Sequence, residues 1–401
     1  IYLMIVVLIA VSLACGLPGS TQKEPTAAPE VGSTQPTPFE VATATDEMTQ
    51  PISPTLTNEL IETEPPSSEI NSGQIAFRFD GQVWRYLVDS GEMSQVSLVA
   101  IGDDFSNTYG RAQFSPDGRY LAYNLADGSW IQDFETDTSM DINPYGQFFA
   151  WAGEETQFYA IQGDMECPAI EDLEDQELLN FDILRLDVQD LSNVTLIANV
   201  GGGLRFLQAI SHDGEWASIN SCGCYSECGP ASLWHLPTLS IVTPPDGMDV
   251  GSFDFSADSQ LMVFWREQMY GYVETPLYAA DTYYGDAIVI FDGSNAAPIN
   301  ARWSPDGEWI AFTSVYFDDE FTETDRCVWL IKPDGMQETE VECSFAELAT
   351  WSPDSSQLLY SQNDGSGEEF YIYDLLTGMK TPIPIQVDPY TKGYIDWGRL
   401  P

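Results

Sequence analysis

Trp303-Ser-Pro-Asp-Gly-Glu-Trp-Ile-Ala-Phe312 is the stretch whose reading decides the fold. An aromatic residue closes one strand, Ser-Pro-Asp-Gly turns the chain, and an alternating apolar run opens the next strand. Pro presets φ for such a turn, and Gly accepts the positive φ that ends it. The stretch returns as Phe114-Ser-Pro-Asp-Gly-Arg-Tyr-Leu-Ala-Tyr123 and as Trp351-Ser-Pro-Asp-Ser-Ser-Gln-Leu-Leu-Tyr360. Weaker copies are Phe255-Ser-Ala-Asp-Ser-Gln-Leu-Met-Val-Phe264 and Ile210-Ser-His-Asp-Gly-Glu-Trp-Ala-Ser-Ile219. In Trp151-Ala-Gly-Glu-Glu-Thr-Gln-Phe-Tyr-Ala160 only the frame survives. The copies start 37, 59, 45, 48 and 48 residues apart, which is the length of a four-stranded propeller blade.

The surrounding sequence agrees. Alternation marks strands in Gln82-Val-Trp-Arg-Tyr-Leu-Val88 and Glu369-Phe-Tyr-Ile-Tyr-Asp374, and Asp-Gly pairs punctuate them as hairpin turns. Only residues 171–179 suggest a short helix. Tyr394-Ile-Asp-Trp397 matches the strand before a turn, and Gln74-Ile-Ala-Phe-Arg-Phe79 the strand after one. Joined, they complete one blade and close a ring with no open edge between first and last blades. The expectation is an all-β propeller of about seven four-stranded blades, closed by strands from both ends. Six or eight blades remain open, because the 151–209 unit is long and its motif poor.

These turns resemble those of the TolB-like, WD-repeat-like propeller family, whose mark is an aromatic-Ser-Pro-Asp-Gly turn before an Ile-Ala-Phe strand. The resemblance spans residues 74–397. It implies a propeller and says little of function, since the family holds periplasmic binding partners, sensor and scaffold domains, and the propeller halves of some peptidases.

The chain divides into three stretches: 1–15, 16–72 and 73–401. Residues 1–14 carry no charge and are almost wholly apolar, as in the core of a signal peptide. Leu13-Ala14-Cys15-Gly16 resembles a bacterial lipobox, with Ser12 where that motif prefers Leu. The resemblance implies export and lipidation of Cys15. The alternative is an uncleaved apolar anchor, for which a 14-residue run is short. Residues 16–72 are rich in Pro, Thr, Ser and Glu and show no apolar period, so they read as a disordered linker to the propeller at 73–401. The expected location is extracytoplasmic, with the membrane reached only through the lipid.

Asp and Glu number 63 against 14 Lys and Arg, for a formal charge of −49. Such a field repels phosphate backbones, which excludes nucleic acid as a partner and favours cations and basic protein patches. Strands alternate in direction, so the Ser-Pro-Asp-Gly turns lie on one face and the long insertions at 162–180, 220–231, 266–286 and 314–326 on the other. Elaborated loops mark a working surface. Tyr270, Tyr272, Tyr278, Tyr283 and Tyr284 are candidate partner contacts there, as are Tyr316, Phe317, Asp318, Asp319 and Phe321. The competing reading packs the tyrosines inside their own blade.

Six cysteines beside Cys15 suit disulfides in an exported chain. Cys327 and Cys343 lie eight residues either side of Gly335 and face each other in a hairpin centred there. Cys167, Cys222, Cys224 and Cys228 fall in adjacent loops, where bonds between them or a zinc site are the two alternatives. Clustered acids are weak candidates for Ca²⁺, and no twelve-residue Asp-x-Asp-x-Asp-Gly loop ending in Glu is present. His212 replaces Pro in a turn, His235 sits on an expected strand, and no Gly-x-Ser-x-Gly elbow or Ser-x-Asp-x-Gly-x-Thr-Trp box occurs. The expected function is a membrane-tethered binding scaffold for a protein or glycan, without a cofactor and not an enzyme. The alternatives are a hydrolase using carboxylates in the central funnel, which convergent acids of raised pKa would mark, and a structural envelope protein.

Overall fold

The Ser-x-Asp part of each turn builds a closed hydrogen-bond unit. Ser115 Oγ donates to Asp117 Oδ1 (2.5 Å) and accepts from Tyr120 N (2.9 Å), while Asp117 Oδ1 accepts from Arg119 N (3.0 Å). The same three bonds recur around Ser211, Ser256, Ser304 and Ser352. The serine and aspartate therefore define the turn, which is why copies that lost Pro to His212 or Ala257 keep its shape. Two copies place serine where glycine is expected, Ser259 at φ 60° and Ser355 at φ 65°. Each strained serine reaches back to the preceding blade. Ser259 Oγ accepts from Asp213 N (3.0 Å) and Ser355 Oγ from Asp306 N (2.9 Å).

The computed structural model describes residues 73–97, 112–125, 128–142, 148–153, 157–163, 180–201, 204–222, 231–245, 250–265, 275–294, 296–318, 320, 322–363, 365, 367–388 and 395–401. The chain divides into units 1–65 and 66–401, and the described residues all lie in the second. Cys15 and the 16–72 segment lie outside them, as does the helix expected at 171–179.

The strands form seven four-stranded antiparallel sheets, which settles the blade count. In the first blade, Asp396–Gly398 is the inner strand, followed outward by Gln74–Phe79, Gln82–Leu87 and Met93–Gln95. Ile75 pairs with Trp397, so the two ends of the propeller share this blade as the sequence predicts. The inner strands of the second to seventh blades are Ala112–Phe114, Phe148–Trp151, Leu204–Ile210, Ser252–Phe255, Ala296–Trp303 and Ala346–Trp351.

Burial explains why the aromatics recur. Seven hydrophobic clusters are present among the described residues, one at each seam between blades. Trp351 at the end of the seventh inner strand packs with Ala311 and Val328 of the sixth blade, and its indole donates to Arg302 O (3.1 Å). Trp151 packs with Tyr120 of the second blade and donates to Gln113 O (3.0 Å). The last seam is tied from the seventh blade by Asp388, whose two oxygens accept Asp80 N and Gly81 N, both at 2.8 Å.

Two glycines at the same turn position separate ring closure from backbone strain. Gly118 (φ 76°) leaves no room for a Cβ, which would stand 2.0 Å from Arg399 O in the closing segment, whereas Gly307 (φ 74°) has nothing within 4 Å. Gly307→Ala should cost about 1–2 kcal/mol for the left-handed backbone alone. Gly118→Ala should cost at least about 2 kcal/mol more, as a steric clash in a packed interior does. Urea unfolding of the two variants measures the difference, and equal losses would mean that the ring does not close through Arg399.

Candidate functional site

A groove of about 790 Å³ opens at the loop end of the sixth and seventh blades, on the face opposite the Ser-Pro-Asp-Gly turns. Its walls come from the start of the strand Glu323–Ile331, the connection 343–345 and the end of the strand Gln357–Asn363. Arg326 sits in it between two carboxylates. It forks onto Glu323 (Nε–Oε1 2.7 Å, Nη2–Oε2 3.0 Å) and donates from Nη1 to Glu347 Oε2 (2.6 Å). The hydrogen bond to Glu323, and then the charge of Glu347, hold the guanidinium above its ordinary pKa. Glu323, Asp325 and Glu347 outnumber Arg326, so the groove is acidic.

One lip of the groove is Ser344-Phe345, two consecutive non-glycine residues in the left-handed region (φ 68° and 58°). Such a conformation costs of order 1–3 kcal/mol per residue and persists only where the surroundings impose it. Here the constraint comes from two sides. The Cys327–Cys343 disulfide expected from the sequence is present and anchors the preceding residue. Asp325 Oδ1 accepts Phe345 N (2.8 Å) from across the groove. Phe345 is left 42% exposed. Asp325 also lies within metal-binding reach of both sulfurs, but these are bonded to each other, and its Oδ1 is engaged by backbone amides.

The structure redraws the loops that the sequence suggested. The strands Ile310–Phe317 and Glu323–Ile331 run past the disulfide, so Tyr316 pairs with Asp325 and Phe317 with Glu323. Within the 314–326 insertion the chain thus forms a long hairpin whose strands reach Phe317 and Glu323. Beyond Phe317, Asp318 Oδ1 accepts Glu320 N (2.9 Å) and Thr322 N (2.8 Å). The 266–286 loop is corrected more heavily. Tyr278 belongs to the strand Leu277–Asp281 and stacks on Phe264 at 5.1 Å. Tyr284 is buried against Phe264 and Phe253, and burial lifts its pKa. Tyr283 and Tyr284 lie in the turn after that third strand, hence on the Ser-Pro-Asp-Gly face, where Tyr283 is 62% exposed edge-on to Trp216. Tyr278 and Tyr284 pack in the hydrophobic cluster at the seam of the fourth and fifth blades. Tyr270, Tyr272, Asp319 and Phe321 lie outside the described residues, as do Cys167, Cys224 and Cys228. Cys222 ends a strand, with its side chain outside the description.

A second site lies on the propeller axis. The inner strands enclose a funnel of about 580 Å³ that opens among the Ser-Pro-Asp-Gly turns. Seen down the axis, the residue before each inner-strand aromatic, or before Ile210 in the fourth blade, sets its chemistry. Asp254, Arg302 and Asp396 hold this place in the fifth, sixth and first blades, against Ala150 and Ala209 in the third and fourth. A β-bulge between Ile299 and Arg302 adds Asn300 to the wall. Asp254 Oδ2 accepts Trp303 N (2.8 Å), and Asp396 Oδ2 accepts Phe114 N (2.7 Å). Each carboxylate therefore ties its blade to the next. Both are partly open to the funnel yet enclosed by the whole ring, and desolvation raises their pKa against the pull of Arg302 and those N–H groups. The signal was present in the sequence: Asp254-Phe255 and Asp396-Trp397 stand in the same frame as Arg302-Trp303.

No protein-family model matches the sequence, and no curated protein matches it either. Solved structures do match. An oligogalacturonate lyase from Vibrio parahaemolyticus is similar at TM-score 0.56 and 10% identity, over 75% of this chain and 85% of that one. A prolyl endopeptidase is similar at TM-score 0.55 and 14% identity, over 79% of this chain and 51% of that one. A TolB from Acinetobacter baumannii gives TM-score 0.43 and 14% identity, over 67% of this chain and 63% of that one. In fold, the chain is similar to the propellers of that lyase and that endopeptidase. The expectation that it is not an enzyme is corrected here. A lyase and a peptidase carry the same propeller, so neither the fold nor the missing Gly-x-Ser-x-Gly elbow sets this chain apart from enzymes.

The groove gives a stability prediction. The disulfide closes a loop of 16 residues, for which chain-entropy estimates give about 3 kcal/mol. The double variant Cys327→Ala/Cys343→Ala should lose about that much in urea unfolding. Amides 343–346 should exchange faster with solvent as Phe345 leaves its strained conformation. Unchanged exchange there would show that Asp325 alone imposes the strain.

Proposed function

We propose that this chain is an exported binding propeller, held to a membrane through a lipidated Cys15 and the 16–72 segment. It takes a basic segment of a protein partner in the groove between its sixth and seventh blades. Phe345 carries the reading. An exposed aromatic residue whose backbone is already fixed offers contact area without the cost of ordering its loop. The acids around it draw Lys and Arg and steer their approach, which favours a basic protein over a neutral glycan. The Cys327–Cys343 bond suits an oxidising compartment and supports export. The test is capture of envelope proteins on the full chain, then affinity measurement on the partner identified. Phe345→Ala should weaken binding about thirtyfold, the ~2 kcal/mol of an anchoring aromatic, and added salt should weaken it further. Equal affinity for the variant, or no salt dependence, overturns the proposal.

A second reading rests on the funnel. A carboxylic acid that keeps its proton toward neutral pH can serve as a general acid, and Asp254 and Asp396 are both pushed that way by burial. Under this reading the chain hydrolyses a glycosidic or peptide bond threaded into the funnel. The raised pKa also has a stability consequence with a definite sign. Between the unfolded and folded values the folded chain holds more protons, so stability falls as pH rises through that window. Asp254→Asn and Asp396→Asn keep an oxygen for the Trp303 or Phe114 N–H and remove the buried charge. Both should melt above the parent at neutral pH, with the gap closing as pH drops to about 4. The parent should cleave members of a nitrophenyl glycoside and peptide panel that these more stable variants do not. A parent inert on the whole panel, or variants no more stable than the parent, removes the reading.

A further inference from the structure

Among the described residues, every blade ends in an outer strand with no further strand beyond it, and propellers keep such edges harmless by keeping them short. Six of the seven outer strands here are three or four residues long. The third blade departs from this. Its outer strand, Asp190–Gly201, runs for 12 residues. It forms one margin of its sheet, pairing inward with Asn180–Asp187.

Three of the usual protections, shortness, Pro and charge, are missing from this edge. After Asp190 the strand reads Leu-Ser-Asn-Val-Thr-Leu-Ile-Ala-Asn-Val-Gly, with no Pro, no Lys and no charge, in a chain of net charge −49. Val194 is 38% and Leu196 57% exposed, and the intervening Thr195 is exposed too. Irregularities flank the middle of the strand, where Val194, Thr195 and Leu196 pair one to one with Leu186, Arg185 and Leu184. The edge thus presents a regular, uncharged run with outward backbone N–H and C=O groups and two bare apolar side chains. Acids mark the end where the strand begins, at Asp187 and at exposed Asp190.

We propose that this edge is a strand-addition site for an extended segment of another protein, with alternating small apolar and polar residues and a Lys or Arg beside Asp190. Unsatisfied strand edges take extended chains because main-chain hydrogen bonds continue the ladder, and alternate side chains supply selectivity. Charge decides the occupant. A second copy of this chain would bring a second charge of −49 against the first, while a segment with basic ends is drawn in. The site is distinct from the groove: it lies on the rim of the third blade and does not depend on the reading given to Phe345.

The probe is the synthetic peptide Lys-Thr-Val-Thr-Val-Thr-Val-Thr-Lys added to the full chain. Bound peptide should slow hydrogen exchange of amides within 190–201 and leave those of 240–242 and 288–291 unchanged. A peptide of the same charge with Pro at each Val position should not bind, since it cannot continue the ladder. Val194→Lys/Leu196→Lys should weaken binding at least about tenfold. Ile241→Lys/Val289→Lys, the same charge change on the outer strands of the fourth and fifth blades, should leave it unchanged, and so should Phe345→Ala. Equal binding of the Pro peptide, or equal loss in both lysine pairs, would reduce the effect to charge and overturn the proposal. So would protection of 190–201 without peptide in a chain that sediments as a dimer, because the occupant would then be a second copy.

Discussion

No blade of this propeller completes its own core. Each hydrophobic cluster is assembled across a seam, as where Ile75 and Trp397 of the first blade pack with Leu359 and Phe370 of the seventh. A single four-stranded sheet would leave both its faces in water, so burial here needs two neighbours for every blade. Closure is therefore a thermodynamic requirement of the core. It also makes the most distant parts of the chain depend on each other, since the inner strand of the first blade comes from residues 396–398. Folding must close that long loop before the last core forms, which makes this a fold of slow, non-local contacts.

The seams leave the axis and the rims for chemistry. Where an inner strand ends, its aromatic goes into the seam and the residue before it lines the funnel. At that place Asp254 and Asp396 do two things at once. They accept an N–H from the next blade, and they hold ionisable groups in a space that disfavours their charge. A hydroxyl or amide would make the same bond without the desolvation cost, so the carboxylates are the feature that structure alone does not require. The groove shows the same economy. The disulfide that pins a hairpin also sets the backbone of Phe345, and Asp325 completes the clamp.

How far the sequence could be read follows from which interactions are local. The Ser-x-Asp turn is closed within six residues, so its copies were legible even at Ser211 and Ser256, where Pro is lost. The Cys327–Cys343 pairing was legible for the same reason, because both sit on one hairpin. The copy at Trp151 was nearly silent, since Ala152 and Gly153 stand where the turn serine and proline should be. Its seam is instead held by distant partners, with Gly153 N donating to His212 O and Tyr159 OH to Gly214 O. The tyrosines of 266–286 misled because aromatic residues suit a binding loop and a strand equally well. Only the neighbouring Phe253 and Phe264, brought up by pairing, decided that Tyr284 is core.

By itself, the sequence determined the repeating turn, the strand alternation around it and the match between the two ends, because each is written in residues close together in the chain. Tertiary structure decided the blade count, the charged funnel, the strained Phe345 and the long outer strand of the third blade. Those features come from side chains and edges that meet only when seven sheets stand around one axis. Spacing along the chain does not encode which neighbour a blade presents to the next.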